Sequence, residues 1–431
     1  MALRDKVKGL AINAFLSGRA DRVRRGLDDV RRRIAGEPKR VELYYQVDDP
    51  YSYFLAQLLP QLLDHTGAEC EVYVVGPPAA DAAPEPGLRA RYAVHDAAEL
   101  AGYYQLDFPQ RPAVPEDGHV VKANQIMVVD RPVADQLRAA RAVSAALFAK
   151  DRDALAKAAG EFGSEASANV KPKLAENYRR LRDRGHYWGA TLRYGGDWFW
   201  GVDRLHYLES ELAQAASVLK VRPEAERGPE KLADGDDRLT LEFYHSLRSP
   251  YSYLALARVL ELPDKYDLDL RIKPVLPMVM RGLQVPRVKR MYIVRDAKRE
   301  ADRLGIPFGN ICDPLGDGIG KCLAIYQHAE AAGKGGEFLL SVGRGAWSEA
   351  LNIDNDGDLE TIVDRAGLQW SDAQTAMAAD SWEKMAADNR GDLDAAGMWG
   401  VPSFQVGTFQ AWGQDRIEML EDRLRRHFAA A

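Results

Sequence analysis

The sequence has few cysteines and no long hydrophobic run. Its 431 residues include three cysteines, Cys70, Cys312 and Cys322, and no Cys-x-x-Cys pair. A disulfide framework, a dithiol redox centre and a zinc site are therefore not indicated, and we interpret the three as buried or incidental thiols of a reducing compartment. No apolar run approaches the roughly eighteen residues of a membrane span, and the N-terminus has no proper apolar signal region. We expect a cytoplasmic protein without an integral membrane segment.

Acidic residues outnumber basic ones outside the first forty residues. The net charge is −6, although residues 1–40 hold twelve Lys or Arg against five Asp or Glu. The acidic body disfavours general nucleic-acid binding. Apolar residues recur in this segment at helical spacing, at Val23, Leu27, Val30 and Ile34. We predict a basic helix within residues 1–38 whose apolar stripe packs on the body; a helix on a membrane surface or an anionic partner is the alternative.

A thirteen-residue stretch occurs twice. It reads EFYHSLRSPYSYL from Glu242 to Leu254 and ELYYQVDDPYSYF from Glu42 to Phe54. Each copy has the β-branched and aromatic residues of a strand, followed by a capping residue and a proline that predict a helix start. Strands are also predicted over 69–75 and 270–275. The alternation of strand, helix and strand indicates a βαβ unit with a parallel pair of strands in each half.

The repeat extends beyond this stretch. Further matches are Tyr92 with Tyr292, Asp96 with Asp296, WGAT at 188–191 with WGVP at 399–402, and WGVDRL at 200–205 with WGQDRI at 412–417. Helical patterns fill residues 123–181 and 286–368 between the matched segments. Residues 77–118, rich in Pro, Gly and Ala, are predicted as an excursion.

Ser249 lies where the second predicted helix begins. Its hydroxyl would meet free backbone N–H groups and the positive end of the helix dipole, which together stabilise an anion. Because Ser is also a preferred N-cap before Pro, a plain capping role explains the same residues. His245 precedes this position in the strand and could be an acid or base, but a packed histidine is the better interpretation.

The second half resembles a known family. A strand, then Ser-Pro-Tyr-x-Tyr-Leu-Ala, then far downstream Gly-Val-Pro and Trp-Gly-x-Asp-Arg, resembles the DsbA-like thioredoxin-fold family, in particular its 2-hydroxychromene-2-carboxylate isomerase and kappa-class glutathione transferase branch. The redox members carry Cys-Pro-x-Cys, whereas both positions here are serine, Ser249 and Ser252. Disulfide exchange needs an attacking thiolate and is disfavoured. The resemblance implies glutathione as cofactor, with Ser249 as the catalytic residue that holds its sulfur.

The resemblance implies further contacts with glutathione. Pro402 matches the family's cis-proline, where the backbone of Val401 would pair with the peptide-like part of glutathione. Gln414 and Asp415 match positions that hold the γ-glutamyl end, and Lys289 matches a lysine that reaches the glycine carboxylate. The structural alternatives are a trans turn proline, a helix cap and a solvated lysine in a basic loop.

The first copy differs at these positions. Asp49 stands in place of Ser249, and Thr191 aligns with Pro402. A carboxylate would repel a thiolate, so we predict a degenerate copy that packs, pairs internally or shapes the site. It also contains an aromatic cluster of Tyr187, Trp188, Tyr194, Trp198, Phe199 and Trp200. Core and hairpin packing is the preferred interpretation of this cluster over a binding groove.

The resulting prediction is an α/β protein of two tandem thioredoxin-like (DsbA-like) domains, each with a helical insertion. The segment 1–38 precedes a degenerate domain over 39–218, an exposed linker over 219–238 and a second domain over 239–431. The expected function is glutathione-dependent isomerisation or transfer on a small aromatic electrophile, with internal domain pairing or a homodimer as the expected assembly. The alternatives are a DsbA-type thiol-disulfide oxidoreductase lacking Cys-x-x-Cys and a non-catalytic binding or scaffold protein.

Overall fold

The computed structural model describes residues 34–213, 216–232 and 238–430, with residues 9, 12, 13, 16, 26 and 30–32 of the N-terminal segment. The chain divides into two compact units. The N-terminal unit is Arg19–Arg227, and the C-terminal unit is Gly228–Ala431 together with Met1–Gly18.

The N-terminal unit has two parallel strands joined by a helix, then a run of helices and a closing β-hairpin. Its elements are β1 (Arg40–Gln46), α1 (Pro50–Thr66), β2 (Glu69–Val75), α2 (Pro86–Tyr103), α3 (Asp117–Met127), α4 (Val133–Phe148), α5 (Arg152–Phe162), α6 (Ser167–Asp183), β3 (Thr191–Tyr194), β4 (Asp197–Trp200), α7 (Leu205–Glu211) and α8 (Glu224–Arg227). The strands form one sheet in the order β2-β1-β3-β4. Strand β1 pairs in parallel with β2, while the β1–β3 and β3–β4 pairs are antiparallel.

The C-terminal unit has the same arrangement of strands. Its elements are β5 (Leu239–His245), α9 (Pro250–Leu260), α10 (Leu262–Lys265), β6 (Leu268–Pro274), α11 (Arg287–Leu304), α12 (Asp317–Ala331), α13 (Gly335–Ser348), α14 (Asp356–Arg365), α15 (Trp370–Ala376), α16 (Ser381–Ala395), β7 (Ser403–Val406), β8 (Phe409–Trp412) and α17 (Ile417–Ala430). The sheet order is β6-β5-β7-β8, with β5–β6 parallel and the other two pairs antiparallel. Two mixed sheets of identical order therefore lie in the two halves of the chain.

The central strand β5 explains how the C-terminal core forms. Successive side chains of a strand point to opposite faces of the sheet. On one face Phe243 stacks on Phe404 with ring centroids 5.3 Å apart. On the other face Tyr244 packs in a cluster with Val275, Leu393 and Met398. The strand is thus buried on both faces, as the apolar residues of the repeated stretch predict.

The predicted strands are found within one or two residues of their expected limits, but two connecting segments differ. The excursion predicted over 77–118 contains the eighteen-residue helix α2, because Pro86 opens it as a first-turn proline and its interior has no further proline. The exposed linker predicted over 219–238 includes the fully buried Leu232. Its carbonyl accepts a hydrogen bond of 3.2 Å from the amide of Thr408.

The apolar stripe of the N-terminal helix is predicted to pack on the body, and this is wrong for its two described members. Val30 and Ile34 are 53% and 82% exposed; Val23 and Leu27 lie outside the described residues. The described helical residues of this segment precede Gly36. Its φ of +66° is the left-handed conformation in which glycine commonly ends a helix. No helix in the described ranges is long and apolar enough to cross a membrane.

Candidate functional site

The candidate site is built around the first turn of α9. Ser249 is the N-cap of this helix, and its Oγ accepts a hydrogen bond of 3.1 Å from the amide of Ser252. The same oxygen lies 3.5 Å from the carbonyl oxygen of Val401, at the outer limit of a hydrogen bond. Ser249 therefore both caps the helix and, because its own proton is held only by this long contact, can donate to a second acceptor. The side chain is half-buried.

The chain segment facing Ser249 contains the one cis peptide bond found in the described residues, between Val401 and Pro402. The cis isomer of Pro402 expected from the resemblance is thus confirmed. Gly400 permits the close approach of this segment to β8, since a Cβ atom there would lie 2.9 Å from Trp412 Nε1. The resemblance predicts Val401 and Pro402 at this site, and the structure has the Val401–Pro402 bond next to the start of α9.

The alignment of Thr191 with Pro402 is wrong. Tyr44 pairs with Thr191 and Tyr244 pairs with Ser403, so the strand register makes Thr191 the counterpart of Ser403. Counted back from the paired strands, Ala190 is therefore the counterpart of Pro402, and the connection from the conserved tryptophan to the strand is one residue shorter before β3 than before β7.

Lys289 lies on a helix, within the helical pattern predicted over 286–368, and the alternative of a solvated lysine in a basic loop does not hold. It belongs to the first turn of α11 and is only 6% exposed. Its Nζ lies 5.6 Å from the ring centroid of Trp399, within the range of a cation–π interaction. Trp399 in turn packs edge to face on Trp412, with centroids 5.0 Å apart. These contacts hold the lysine beside the segment that leads to Val401.

Gln414 and Asp415 lie in a polar cluster that also includes Glu300, Arg258 and Arg303. Gln414 is 1% exposed, and its Nε2 donates to Glu300 Oε2 at 2.9 Å and to Asp415 Oδ1. Arg258 Nη1 lies 3.3 Å from both the side-chain and the backbone oxygen of Gln414. Glu300 is fully buried and pairs with Arg303 Nη2 at 2.9 Å. Burial lowers the pKa of Arg258.

Glu300, Arg258 and Trp399 were missed from the sequence. A usable signal was present on α11, where Lys289, Asp296 and Glu300 recur at i, i+7 and i+11. These positions share one face of an α-helix. That face is the buried one, and charged residues on a buried face mark a site or an internal ion pair.

His245 is a packed histidine, as the preferred interpretation expected. It is 2% exposed at the end of β5, and its Nδ1 has no hydrogen-bond partner among the described residues. Burial lowers the pKa of His245 to about 3. Because His245 is not protonated near neutral pH, it does not act as a general acid at that pH. His245 is therefore not one of the candidate catalytic residues.

This burial predicts a pH-dependent loss of stability. Unfolded His245 binds a proton near pH 6.5 while folded His245 does not, so the unfolded state binds more protons between about pH 6.5 and 3 and stability falls as the pH falls. The expected loss is about 3 kcal/mol by pH 4. Urea unfolding of the protein and of His245→Phe between pH 7 and 4 measures it, since the difference between the two profiles cancels the contribution of carboxylates. Parallel profiles would contradict the prediction.

The corresponding position in the N-terminal unit is closed by an internal ion pair. Asp49 caps α1, accepting at Oδ1 from the amide of Tyr51 at 3.0 Å, and is fully buried. Its Oδ2 accepts from Trp188 Nε1 at 3.1 Å and lies 3.7 Å from Arg89 Nη1. Burial raises the pKa of Asp49, while Arg89 and Trp188 oppose this shift. The guanidinium of Arg89 also stacks on Trp188 at 4.7 Å.

Arg89 and Trp188 occupy the positions that Lys289 and Trp399 have in the C-terminal unit. The numbering offset of 200 that relates Asp96 to Asp296 also relates Arg89 to Lys289. A cation over a tryptophan is therefore present in both units, but in the N-terminal unit a buried carboxylate neutralises it.

Three members of the polar cluster have apolar counterparts in the N-terminal unit, whereas Asp203 matches Asp415. The positions of Arg258, Glu300 and Gln414 are occupied there by apolar residues that are themselves buried, namely Leu58, Leu100 and Val202. By contrast, Tyr251 donates to Asp296 at 2.8 Å and Tyr51 donates to Asp96 at 2.7 Å. The tyrosine–aspartate bond is common to both units and serves the fold. The Arg258, Glu300 and Gln414 part of the polar cluster is specific to the C-terminal unit among the described residues.

Two of the three cysteines are unsuited to thiol chemistry. All three are free, Cys70 and Cys322 are buried, and Cys312 is half-buried. Burial raises the pKa of Cys70 and of Cys322 to about 12. Thiols held in the protonated state do not attack disulfides.

Residues 240–425 match the family model of the DSBA-like thioredoxin domain. This match covers the whole candidate site and less than half of the chain. Residues 240–425 are therefore similar to a DSBA-like thioredoxin domain.

The relatives of this region include enzymes. Two proteins named 2-hydroxychromene-2-carboxylate isomerase, from Pseudomonas putida and Pseudomonas sp. (strain C18), are each 22% identical to this chain over 196 and 190 residues; the matches cover 44% and 42% of this chain and 95% and 88% of those proteins. A solved structure of the cytosolic disulfide reductase DsbM from Pseudomonas aeruginosa is 22% identical, with a TM-score of 0.36, and covers 43% of this chain and 99% of that chain. The isomerases are distant relatives of the C-terminal region.

Proposed function

We propose that the C-terminal unit is a glutathione-dependent isomerase or transferase for a small, aromatic, electrophilic substrate, similar to 2-hydroxychromene-2-carboxylate isomerase. The observation that carries this proposal is the position of Ser249 Oγ, at the start of α9 and 3.5 Å from the Val401 carbonyl beside Pro402. A hydroxyl and a helix N-terminus at one point stabilise a sulfur anion. The isomerase relatives of this region support the reaction class.

The residues present fit glutathione at both of its charged ends. Lys289 offers a cation for the glycine carboxylate, and Asp415 offers a carboxylate for the γ-glutamyl ammonium. The buried polar cluster around Gln414 supports this reading, because buried charges usually serve a purpose other than stability. Cofactor chemistry of this kind needs no cysteine from the protein.

In this mechanism glutathione, when bound, supplies the thiolate that attacks an electrophilic carbon of the substrate. Ser249 donates a hydrogen bond to the sulfur, and the start of α9 favours its negative charge. The backbone of Val401 pairs with the peptide-like part of the ligand. Lys289 and Asp415 orient the two ends, so that the sulfur is held at Ser249.

We propose further that the two units arose by tandem duplication and that the N-terminal unit is a degenerate thioredoxin-like copy. Identical sheet order and the shared tyrosine–aspartate bond support common descent. The Asp49–Arg89–Trp188 ion pair fills the position of the candidate site in the N-terminal unit. That unit then has a structural role.

The alternatives are less well supported. A thiol-disulfide oxidoreductase needs a reactive thiol, whereas both motif positions are serine and the raised pKa values of Cys70 and Cys322 disfavour attack. A non-catalytic scaffold does not require the buried cluster around Gln414, since the N-terminal unit replaces it with leucine and valine.

Glutathione binding tests the proposal. Calorimetric titration of the intact protein should give a saturable heat with one glutathione per chain, because only the C-terminal unit has a serine at the helix start, whereas Asp49 and its ion pair with Arg89 fill that position in the N-terminal unit. Lys289→Ala should weaken binding about tenfold by removing one charge-assisted contact. Arg138→Ala, which alters an exposed ion pair with Asp135, is the matched control and should bind normally. If glutathione does not bind to the unaltered protein, the proposed function is wrong.

A further inference from the structure

We infer that Glu300 is a positioning residue. Through the amide of Gln414 it holds Asp415 in the orientation in which its carboxylate binds the ammonium group of the ligand. This inference rests on the proposed function and extends it to a residue that makes no ligand contact itself. It concerns one hydrogen-bonded chain, Glu300 to Gln414 to Asp415, in the C-terminal unit.

The amide of Gln414 has one orientation that satisfies its surroundings. Its Nε2 faces two carboxylates, Glu300 at 2.9 Å and Asp415, while its Oε1 faces the guanidinium of Arg258 at 3.3 Å. A flipped amide would place oxygen against both carboxylates and nitrogen against the guanidinium. Glu300 and Arg258 together therefore lock the amide, and the locked amide holds one oxygen of Asp415.

The fold does not need this chain. In the N-terminal unit Leu100 and Val202 stand at the positions of Glu300 and Gln414, and both are buried. Replacing a buried polar network by apolar residues is often neutral or stabilising. The C-terminal unit nevertheless keeps a fully buried carboxylate at Glu300, paired with Arg303. Orientation of a ligand-reading carboxylate explains why that burial is retained.

Asp415 is the end of the chain that can meet a ligand. It is half-buried, whereas Glu300 and Gln414 are buried. Holding one of its oxygens on Gln414 leaves the other with a defined direction. A defined carboxylate loses less conformational freedom when it binds an ammonium group, and this preorganisation raises affinity. The contribution therefore belongs to the amino end of glutathione and not to its thiol.

The test imports the N-terminal unit's own pair as Glu300→Leu/Gln414→Val in the full chain. Binding of glutathione and of glutaryl-cysteinylglycine, which lacks the α-amino group, is measured by calorimetry for both proteins. The unaltered protein should prefer glutathione by about 10–100-fold, the value of one charge-assisted hydrogen bond. In the double variant this ratio should collapse towards one, and thermal unfolding of the same preparation shows whether the variant is folded. Steady-state kinetics should show a higher KM for glutathione with a nearly unchanged kcat.

Two further variants keep the result interpretable. The single variant Glu300→Gln retains an acceptor for the Gln414 amide, so it should keep part of the preference for glutathione over glutaryl-cysteinylglycine. Ile362→Val removes one buried methyl from α14, away from the site, and should lower stability without changing the ratio. If the unaltered protein binds no glutathione, the proposed function fails and this inference with it. If the unaltered protein shows the preference and the double variant keeps it, the inference alone is overturned.

Discussion

Ser249→Ala should lower kcat/KM by about 10²–10³-fold for an electrophilic aromatic substrate assayed with glutathione. The size follows from the loss of one preorganised donor at a developing or resident anion. The same change removes an N-cap, because Ser249 Oγ accepts from the amide of Ser252, and should cost about 1 kcal/mol of stability. Activity and urea unfolding of the same preparation measure the two effects separately.

A matched control separates catalysis from capping. Asn355 caps α14 through a hydrogen bond of 3.1 Å from the amide of Asp358, and Asn355→Ala should lose a similar stability with unchanged turnover. Equal turnover by Ser249→Ala and the unaltered protein would move the chemistry away from the serine and leave it with its capping role.

The pKa of the glutathione thiol gives a second view of the same prediction. Ultraviolet absorbance of the bound thiolate, followed against pH, should shift to higher pH in Ser249→Ala, because a donor to the anion has gone. The pKa of the bound thiol in Ser249→Ala should still lie below that of free glutathione, since the N-terminus of α9 remains.

The backbone arrangement of this protein was largely readable from its sequence, and the reason lies in the repeat. Two copies of a strand rich in β-branched and aromatic residues, each followed by a capping residue and proline, predict the same βαβ unit twice, and both sheets have the same strand order. Local periodicity and helix-start chemistry carry this information within a dozen residues. The helix α2 was missed because its alanine-rich, glycine-containing sequence has a weak apolar pattern.

The candidate site was only partly readable, since its contacts join distant residues. Ser249, Val401, Pro402, Gln414 and Asp415 came from motif resemblance, and the structure brings Ser249 to Val401 and Gln414 to Asp415. The partners Glu300 and Trp399 lie more than a hundred residues from Gln414 and Lys289 respectively, and no local pattern links them. The roles of these residues towards glutathione stay predictions.

The shortening next to Thr191 shows a related limit. Aligning the two copies by their tryptophans places Pro402 against Thr191, but hydrogen-bond register places Ser403 there. The spacing of the matched motifs shows that the first half is one residue shorter between them, but only the strand pairing shows that the difference lies before Thr191. A strand shifted by one residue would turn its apolar side chains to the wrong face.

Arg89→Leu should destabilise the N-terminal unit by about 3–5 kcal/mol, the cost of leaving one member of a buried ion pair without its partner. Asp49 is fully buried and Arg89 is 8% exposed, so solvent does not compensate the loss. Native-state hydrogen exchange on α1 and urea unfolding measure the change. Arg138→Leu, in an exposed pair with Asp135 and Glu161, is the matched control and should change stability by less than about 1 kcal/mol.

The effect of Arg89→Leu should depend on pH in a defined direction. Burial already raises the pKa of Asp49, and Arg89 opposes that shift. Without Arg89 the pKa rises further, so folding favours the protonated carboxyl and stability is lost as the pH rises through the folded pKa. The variant should therefore differ most from the unaltered protein at pH 7 and least near pH 4. Asp49→Ser/Arg89→Leu removes both charges while keeping a cap like that of Ser249, so it should recover most of the stability lost in Arg89→Leu. A double variant as unstable as Arg89→Leu would instead show that packing of Arg89 on Trp188, and not charge, stabilises this position.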